Sequence, residues 1–186
     1  EQIPDADIVI TDNRITAVGS KGSVTVPEGA RIFDVNEMTI MPGIVDVHAH
    51  WFEIRRGVLD MENWNFLANL AYGVTTGRDA VNYYDIFAYQ DLVDTGEILG
   101  PRAFSTGPEI GQNTNFQSAT DANNVVAKFA KYYRTKTLKS YLVGNRTQRQ
   151  WVVEASKKFG MMPTTEGASS LKLDLTHAID GFSGNE

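Results

Sequence analysis

Strand-like and helix-like segments alternate along most of this chain, and that alternation constrains the fold more than any other feature. β-branched runs are each followed by a stretch whose apolar residues recur at helical spacing. Equivalent strand positions at His48, Thr75, Phe104, Lys139 and Glu166 follow one another after 27, 29, 35 and 27 residues. Because a βα unit that repeats at about 30 residues builds a parallel sheet, we expect such a sheet, either open or closed into a barrel.

The number of units bears on the choice between these two forms. We predict strands at 44–47, 74–76, 102–105, 137–141 and 161–165, and helices at 61–72, 85–95, 121–134 (with Asp121 as N-cap) and 147–159. The 146 residues from 41 to 186 hold about five units, whereas a complete (β/α)8 barrel needs about 250 residues. The chain ends on Gly-Asn-Glu with no closing helix. We therefore expect an α/β fold that is an incomplete TIM-type (β/α)8 barrel, with an open five-stranded sheet as the alternative.

The first forty residues follow a different pattern. Two pairs of short strands are predicted, 7–11 with 14–18 and 31–35 with 38–41, and each pair is joined by two residues that tolerate a tight turn. These strands form a small β layer that ends at Pro-Gly. We therefore place a domain boundary between residues 41 and 42.

Charge and cysteine content exclude several classes of function. The formal charge is −6 and the pI is near 5.1, without a basic patch, so neither a nucleic acid nor an anionic membrane is an expected partner. The chain has no cysteine, which removes disulfides, thiolate metal sites and cysteine nucleophiles. Any metal must therefore be held by histidine and carboxylate-type ligands.

His48 and His50 follow a β-branched strand and are two residues apart. Residues two apart in a strand share a face, so both imidazoles and the side chain of Asp46 are expected to converge. Two nitrogen donors at the carboxyl end of a strand are half of a zinc site, and Asp46 is the candidate to orient one imidazole. The alternative is two histidines that only bond backbone carbonyls at a strand end.

Lys139 lies in the middle of the predicted strand 137–141, on the same face as Thr137 and Tyr141. If that face is the barrel interior, a bare ammonium there is costly. Carboxylation would replace it with a carbamate that can bridge two cations. The alternative is a strand-end lysine that extends to water.

Other candidates lie near strand ends. Glu166 ends the fifth strand and could ligate a metal, although an acid at a helix N-terminus is the alternative. His177 lies outside any clear strand, so a surface or helix-terminal histidine is expected, with a ligand role left open. Arg78 and Asp79 close the second strand on opposite faces, either as a substrate contact and a structural pair or as ordinary loop charges.

Residues 39–50, Thr-Ile-Met-Pro-Gly-Ile-Val-Asp-Val-His-Ala-His, resemble the amidohydrolase superfamily. In that family a small β-sandwich leads into strand one of a metal-binding barrel through such a Pro-Gly-hydrophobic-Asp-x-His-x-His run. The resemblance continues through 71–76 and 99–102 and is closest to imidazolonepropionases and Xaa-Pro dipeptidases, particularly members fused to a Tol-type β-propeller. It implies that 1–41 are part of the β-sandwich domain and that 42–186 are the N-terminal portion of the metal-dependent barrel.

The resemblance also implies a centre of one or two Zn ions. His48 and His50 match the first-strand ligands, and Lys139 matches the strand-four lysine that is carboxylated and bridges the metals. At strand five, where the family carries a histidine, this chain has Glu166, which is the candidate replacement. The strand-six histidine and the strand-eight aspartate, which acts as general base, are expected beyond residue 186.

The expected function is therefore that of a parent hydrolase in which a metal-activated hydroxide cleaves a carbon–nitrogen bond of an amide, cyclic amide or peptide-like substrate. Two alternatives remain: a catalytically incomplete fragment, and a non-enzymatic scaffold that has lost its metal. Open sheet edges make a homo-oligomer that covers them a further expectation. The compartment stays undetermined, although the propeller-fused members point to an extracytoplasmic setting.

Overall fold

The structure is a computed structural model that describes residues 2–51, 59–80, 86–167 and 170–185. Contacts divide the chain into two compact units, Glu1–Met41 and Pro42–Glu186. Among the described residues there are five helices and eight strands, and none of the helices has the length and apolar character needed to cross a membrane. The assignment of the two units to a β-sandwich and a barrel remains a prediction.

The first unit contains one antiparallel hairpin. Strands β1 (Ala6–Thr11) and β2 (Arg14–Ser20) pair along their length, with a register irregularity after Val9. Asp12 in the connecting turn has a φ of 55°, a conformation that aspartate tolerates because its short polar side chain can bond locally. The first predicted hairpin is therefore confirmed.

The second predicted hairpin, 31–35 with 38–41, was wrong. A turn does form there, because the backbone N–H of Met38 donates to the carbonyl of Val35 at 3.0 Å. The flanking residues are not in strands, and Ile32 and Phe33 are 80% and 68% exposed. Alternating apolar residues make a stable strand only when one face is buried, and within this unit those side chains are left in water.

The second unit is built from parallel strands that alternate with helices. Strands β3 (Ile44–Ala49), β4 (Val74–Asp79) and β5 (Arg102–Ser105) form one parallel sheet, and β6 (Thr137–Lys139), β7 (Met162–Thr165) and β8 (Gly184–Asn185) form another. A parallel bridge between Ile110 and Ser140 lies beside β6. This mixed α/β arrangement is consistent with a partial α/β barrel; closure into an eight-stranded barrel remains a prediction.

The helices occupy the predicted segments, and two details differ. They are α1 (Trp64–Ala71), α2 (Ile86–Asp94), α3 (Ala119–Tyr132), α4 (Arg146–Phe159) and α5 (Leu171–Asp180). The N-cap of α3 is Ser118, whose side chain accepts the N–H of Asp121, so Asp121 lies inside the first turn instead of capping it. Helix α5 and strand β8 had no counterpart in the prediction, and the predicted start of α2 at Asp85 lies outside the described residues.

Two apolar clusters separate the helices from the strands. One lies among α1, α2 and the first parallel sheet and includes Ala49, Trp51, Phe66, Ile86, Tyr89 and Ala103. The other lies under α3 and α4 and includes Phe116, Val126, Phe129, Leu138, Val152 and Met161. Burial of these side chains against the sheets supplies the main driving force for folding of the unit, and it fixes which strand face is turned away from the helices.

Two features of the β3 segment matter for the site: the glycine that precedes the strand, and a register irregularity near its end. An added Cβ at Gly43 would overlap the side chain of Thr75, so this position accepts only glycine without rearrangement. Further along, Asp46 pairs with Gly77 and Ala49 pairs with Asp79, so three steps on β3 oppose two on β4. An extra residue of this kind changes the direction of the side chains on the bulged strand. The irregularity in β3 lies beside His48.

Candidate metal centre

The side chains of His48, Lys139 and Glu166 meet at the carboxyl ends of three parallel strands. The ammonium of Lys139 is in contact with the carboxylate of Glu166, and it lies 3.3 Å from Nε2 of His48. Nε2 of His48 is in turn 3.3 Å from Oε2 of Glu166. The Lys139 side chain is 1% exposed, whereas those of His48 and Glu166 are 17% and 34% exposed. Each of the three groups therefore touches the other two.

His50 completes the cluster. Its ring centroid lies 4.8 Å from that of His48, with the ring planes inclined at 39°. One ligand atom from each of His48, His50 and Glu166 lies within 4.8 Å of the others, which makes these residues a group that could hold a metal ion. The four residues singled out from the sequence therefore lie together, and their role as ligands is a proposal developed below.

Asp46 makes a local contact in β3. Its Oδ1 accepts the backbone N–H of His48 at 3.0 Å. This bond closes a short side-chain-to-backbone ring next to the bulge, which is how aspartate commonly stabilises irregular backbone. Asp46 thus fixes the backbone that carries His48, where the sequence suggested an orienting bond to an imidazole.

The electrostatics of the cluster favour a neutral His48 and an ionised Glu166. Burial lowers the pKa of His48 below its ordinary value of 6.5, and the charge of Lys139 lowers it further. For Glu166 burial acts upward, but the hydrogen bond and charge of Lys139 are the largest opposing causes, and its pKa is lowered from its ordinary value of 4.5. A neutral imidazole and a carboxylate are the protonation states that bind metal ions.

The donor set fits a divalent cation. Two imidazoles and a carboxylate are ligands that Zn²⁺ accepts, at about 2.0–2.2 Å from each donor atom. In a tetrahedral site donors at these distances are about 3.3–3.6 Å apart, so side chains whose donor atoms lie within 4.8 Å of one another must move closer together to share one ion. The ammonium of Lys139 already lies against two of these groups, which shows that they stabilise positive charge at this position.

His177 belongs to a different part of the unit. It lies in the last turn of α5, is 1% exposed and packs against the ring of Phe182 at 4.7 Å between centroids. Burial lowers its pKa, and the charge of Arg149 acts in the same direction. The helix-terminal position was expected but the surface position was wrong, because α5 was not foreseen. Among the described residues, the His-His-carboxylate group does not include it.

The second predicted strand contributes structural contacts beside the cluster. Nε of Arg78 donates to the carbonyl of Val47 at 2.9 Å, and burial lowers the pKa of Arg78. Asp79 is fully buried, and its Oδ2 accepts the backbone N–H of Trp51 at 3.2 Å. Trp51, which directly follows His50, was not singled out from the sequence. Its position after the His-x-His pair is the signal that could have drawn attention to it.

A cavity of about 730 Å³ opens along the first parallel sheet. Its walls include Val45, Val47, Arg78 and Phe104 from the strands and Tyr133 from the end of α3. Among the described residues that line it, none is one of the four cluster residues. Its described lining therefore contributes no donor to the candidate metal centre.

No family model matches the chain, and comparisons with known proteins give partial matches in sequence and in structure. The mitochondrial allantoinase of Aquarana catesbeiana is 37% identical over 75 residues, which are 39% of this chain and 15% of the allantoinase. A crystal structure of an uncharacterized protein superposes with a TM-score of 0.72 at 17% identity, over 96% of this chain and 54% of that one. The chain thus spans about half the length of the solved structure and a small part of the curated relative.

The match to the allantoinase supports a broad amidohydrolase-like relationship. At 17% identity the likeness to the crystal structure concerns the fold alone. The finer placement near imidazolonepropionases and Xaa-Pro dipeptidases remains a prediction.

Proposed function

We propose that the protein containing this chain is a metal-dependent hydrolase that cleaves a carbon–nitrogen bond in an amide, cyclic amide or peptide-like substrate. The observation that carries the proposal is the cluster of His48, His50 and Glu166 with Lys139 at the carboxyl ends of β3, β6 and β7. In α/β barrels this is the end at which the chemistry takes place. The partial relative is an allantoinase by name, which favours a cyclic amide over the other substrates.

In this proposal the two imidazoles and the Glu166 carboxylate hold the cation, for which Zn²⁺ is our candidate. A divalent ion bound there would lower the pKa of a coordinated water toward about 7 and polarise the substrate carbonyl. His48 is suited to its part because burial lowers its pKa and so favours the neutral imidazole. Glu166 is suited because its pKa is lowered, so that the carboxylate is ionised at neutral pH.

Lys139 competes with the metal as long as it is an ammonium, because the same carboxylate binds both cations. We propose that carboxylation removes this competition. The neutral amine adds to carbon dioxide, a C–N bond forms and a proton is released, so that the ammonium is replaced by an anionic oxygen donor. The buried position of Lys139 at 1% exposure would shield such a carbamate from water.

Metal analysis and hydrolysis assays on the full-length protein test the proposal. We expect bound divalent metal and turnover of at least one cyclic or linear amide, both lost in His50→Ala. His177→Gln is the matched control, because it removes a histidine that lies outside the cluster. Turnover that survives complete removal of metal, or a wild-type protein that binds no metal, would refute the proposal; the second result would favour the non-enzymatic scaffold.

Carboxylation has its own measurement. Protein equilibrated with ¹³C-labelled bicarbonate should give a carbamate signal in the ¹³C NMR spectrum. Lys139→Arg should lack that signal, since arginine carries no amine that adds to carbon dioxide. A spectrum without the signal in metal-loaded wild-type protein would contradict this part of the proposal and leave the His-His-Glu centre to be judged by the metal analysis.

A further inference from the structure

Trp51 follows directly after His50, so whatever holds Trp51 also limits the positions available to the His50 imidazole. The Trp51 backbone N–H donates to Oδ2 of Asp79 at 3.2 Å. The carbonyl of Ala49, on the other side of His50, accepts the N–H of Ala80 at 3.2 Å. The backbone on both sides of His50 is thus bonded to the last residue of β4 and the residue that follows it.

The indole ring of Trp51 is held as firmly as its backbone. A Cβ added at Gly77 would lie 2.6 Å from Cζ2 and 2.9 Å from Cη2 of Trp51. The ring also packs edge-on against Phe66 at 5.0 Å between centroids, and Trp51 is only 3% exposed. Because this ring fills the space above a glycine and is enclosed by other side chains, it cannot move without displacing its neighbours.

Asp79 is itself fixed from a third strand. It is fully buried at the end of β4, and its own carbonyl accepts the N–H of Thr106 at 3.1 Å, just after β5. A buried carboxylate is costly unless it accepts hydrogen bonds, and the bond to Trp51 is one that the described residues supply. Asp79 therefore ties the segment after His50 to two neighbouring strands.

We infer that Asp79 is a positioning residue of the metal centre, holding His50 in place through the Trp51 backbone. The inference rests on the proposed function for its metal, but the contact itself is a property of the metal-free chain. Outer partners of metal ligands typically change metal affinity by about 10- to 100-fold when they are removed. Asp79 acts one peptide bond further out, through the main chain, so its effect should appear in the geometry of the site as well as in affinity.

The experiment uses Co²⁺ as probe in the full-length protein, because its visible absorption reports ligand geometry. Asp79→Ala should bind Co²⁺ about 10- to 100-fold more weakly than the wild type and with an altered spectrum. Asp79→Asn keeps a side-chain oxygen for the Trp51 N–H and should remain close to the wild type in both respects. Asp180→Ala is the matched control: that carboxylate is also buried, but it bonds Arg146 on the α4–α5 side of the unit, so it should lower Tm and leave Co²⁺ binding unchanged.

Gly77→Ala provides a second route that does not touch the carboxylate. It should displace the Trp51 ring and weaken Co²⁺ binding, so the inference stays testable if Asp79→Ala fails to fold. Wild-type affinity and spectrum in both Asp79→Ala and Gly77→Ala would overturn the inference. Equal weakening in Asp79→Asn and Asp79→Ala would also overturn it, because a hydrogen-bond acceptor would then not be what matters.

A metal-independent measurement separates this inference from the proposed function. In chelator-treated protein the imidazole signals of His48 and His50 can be followed by ¹H–¹⁵N NMR after assignment with His48→Gln and His50→Gln. If the wild type binds no metal, the proposed function fails, and movement of the His50 signals in Asp79→Ala but not in Asp79→Asn still supports the positioning role. Unchanged His50 signals in Asp79→Ala would overturn that role whatever the metal result.

Discussion

The ammonium of Lys139 lies 3.3 Å from Nε2 of His48, although the two residues are 91 positions apart in the chain. Lys139 ends β6 and His48 lies near the end of β3, so the contact joins strands of the two parallel sheets. The carboxylate of Glu166, just after β7, lies against both nitrogens. Its negative charge offsets the positive charge of the Lys139 ammonium. In the metal-free candidate site, the positive charge of Lys139 is thus paired with the negative charge of Glu166.

The pKa of His48 should rise when Lys139 is replaced. Burial is the largest cause of its lowered pKa and the charge of Lys139 is the next, so Lys139→Met removes the largest contribution from a charge. An NMR titration of the His48 ring in chelator-treated protein measures the change. Lys172→Met, an exposed lysine of α5, is the control and should leave the titration unaltered. A His48 titration that is the same in all three proteins would contradict the assignment of Lys139 to this site.

Removal of Glu166 should destabilise the metal-free protein more than removal of Lys139. Glu166→Gln leaves a 1% exposed ammonium without its carboxylate, whereas Lys139→Met leaves a carboxylate that is 34% exposed to water. A buried charge that loses its partner costs about 1–3 kcal/mol or more, so the free energy of unfolding should fall by about that amount in Glu166→Gln. Urea unfolding in the presence of chelator compares the two variants; the reverse order would show that the ammonium is not buried as described.

Acid should begin to destabilise the protein below pH 6.5, and His177 should contribute to this. Its pKa is lowered by burial and by Arg149, so on acidification the unfolded chain takes up the proton before the folded one does. Stability from this group is therefore complete above 6.5, its ordinary pKa, and is lost as pH falls below that value. His48 acts in the same direction over the same range, and Glu166 does so below 4.5.

His177→Leu tests this account. Neither ring nitrogen of His177 has a hydrogen-bond partner in the described part of the chain, so an apolar side chain of similar size should be neutral or stabilising by about 1 kcal/mol at pH 7.5. The decrease in the free energy of unfolding between pH 7 and 5.5 should be smaller than in the wild type. An equal or steeper decrease would mean that His177 is solvated in the folded state.

Helix α4 should depend on its N-cap, and α5 should not. Asn145 accepts the N–H of Gln148, and the Gln148 side chain bonds back to the Asn145 N–H. Asn145→Ala should therefore lower the free energy of unfolding by about 1 kcal/mol. Ser170 occupies the same position in α5 and makes no side-chain capping bond to the described residues, so Ser170→Ala should change stability much less. Similar losses in both variants would point to effects on the unfolded chain.

The sequence by itself determined the order of β3–β7 and α1–α4 and pointed to the residues of the candidate site. The spacing of apolar residues and the glycines at segment ends predicted β3–β7 and α1–α4 close to their observed bounds. Both features determine secondary structure through neighbouring residues in the chain. The His-x-His pair and Lys139 were singled out chiefly because the residues around them resemble the metal-site motifs of a known family. Lys139 was predicted in the middle of strand 137–141, whereas β6 ends at Lys139. The cap of α3 was misassigned because Ser118 and Asp121 are both good capping residues and only the backbone dihedral angles at Ser118 distinguish them.

Only the tertiary structure decided which of these residues meet. Alternation along a strand gives a face, but the bulge between Asp46 and Ala49 changes how His48 and His50 are aimed, and it arises from the pairing with β4. The burial of His177 depends on the packing of α5 within the second unit. In the first unit, Ile32 and Phe33 belong to an alternating apolar pattern, but their side chains are exposed. The bond from Trp51 to Asp79 joins residues 28 positions apart. Contacts between residues so far apart depend on how whole helices and strands pack, which local sequence patterns do not predict.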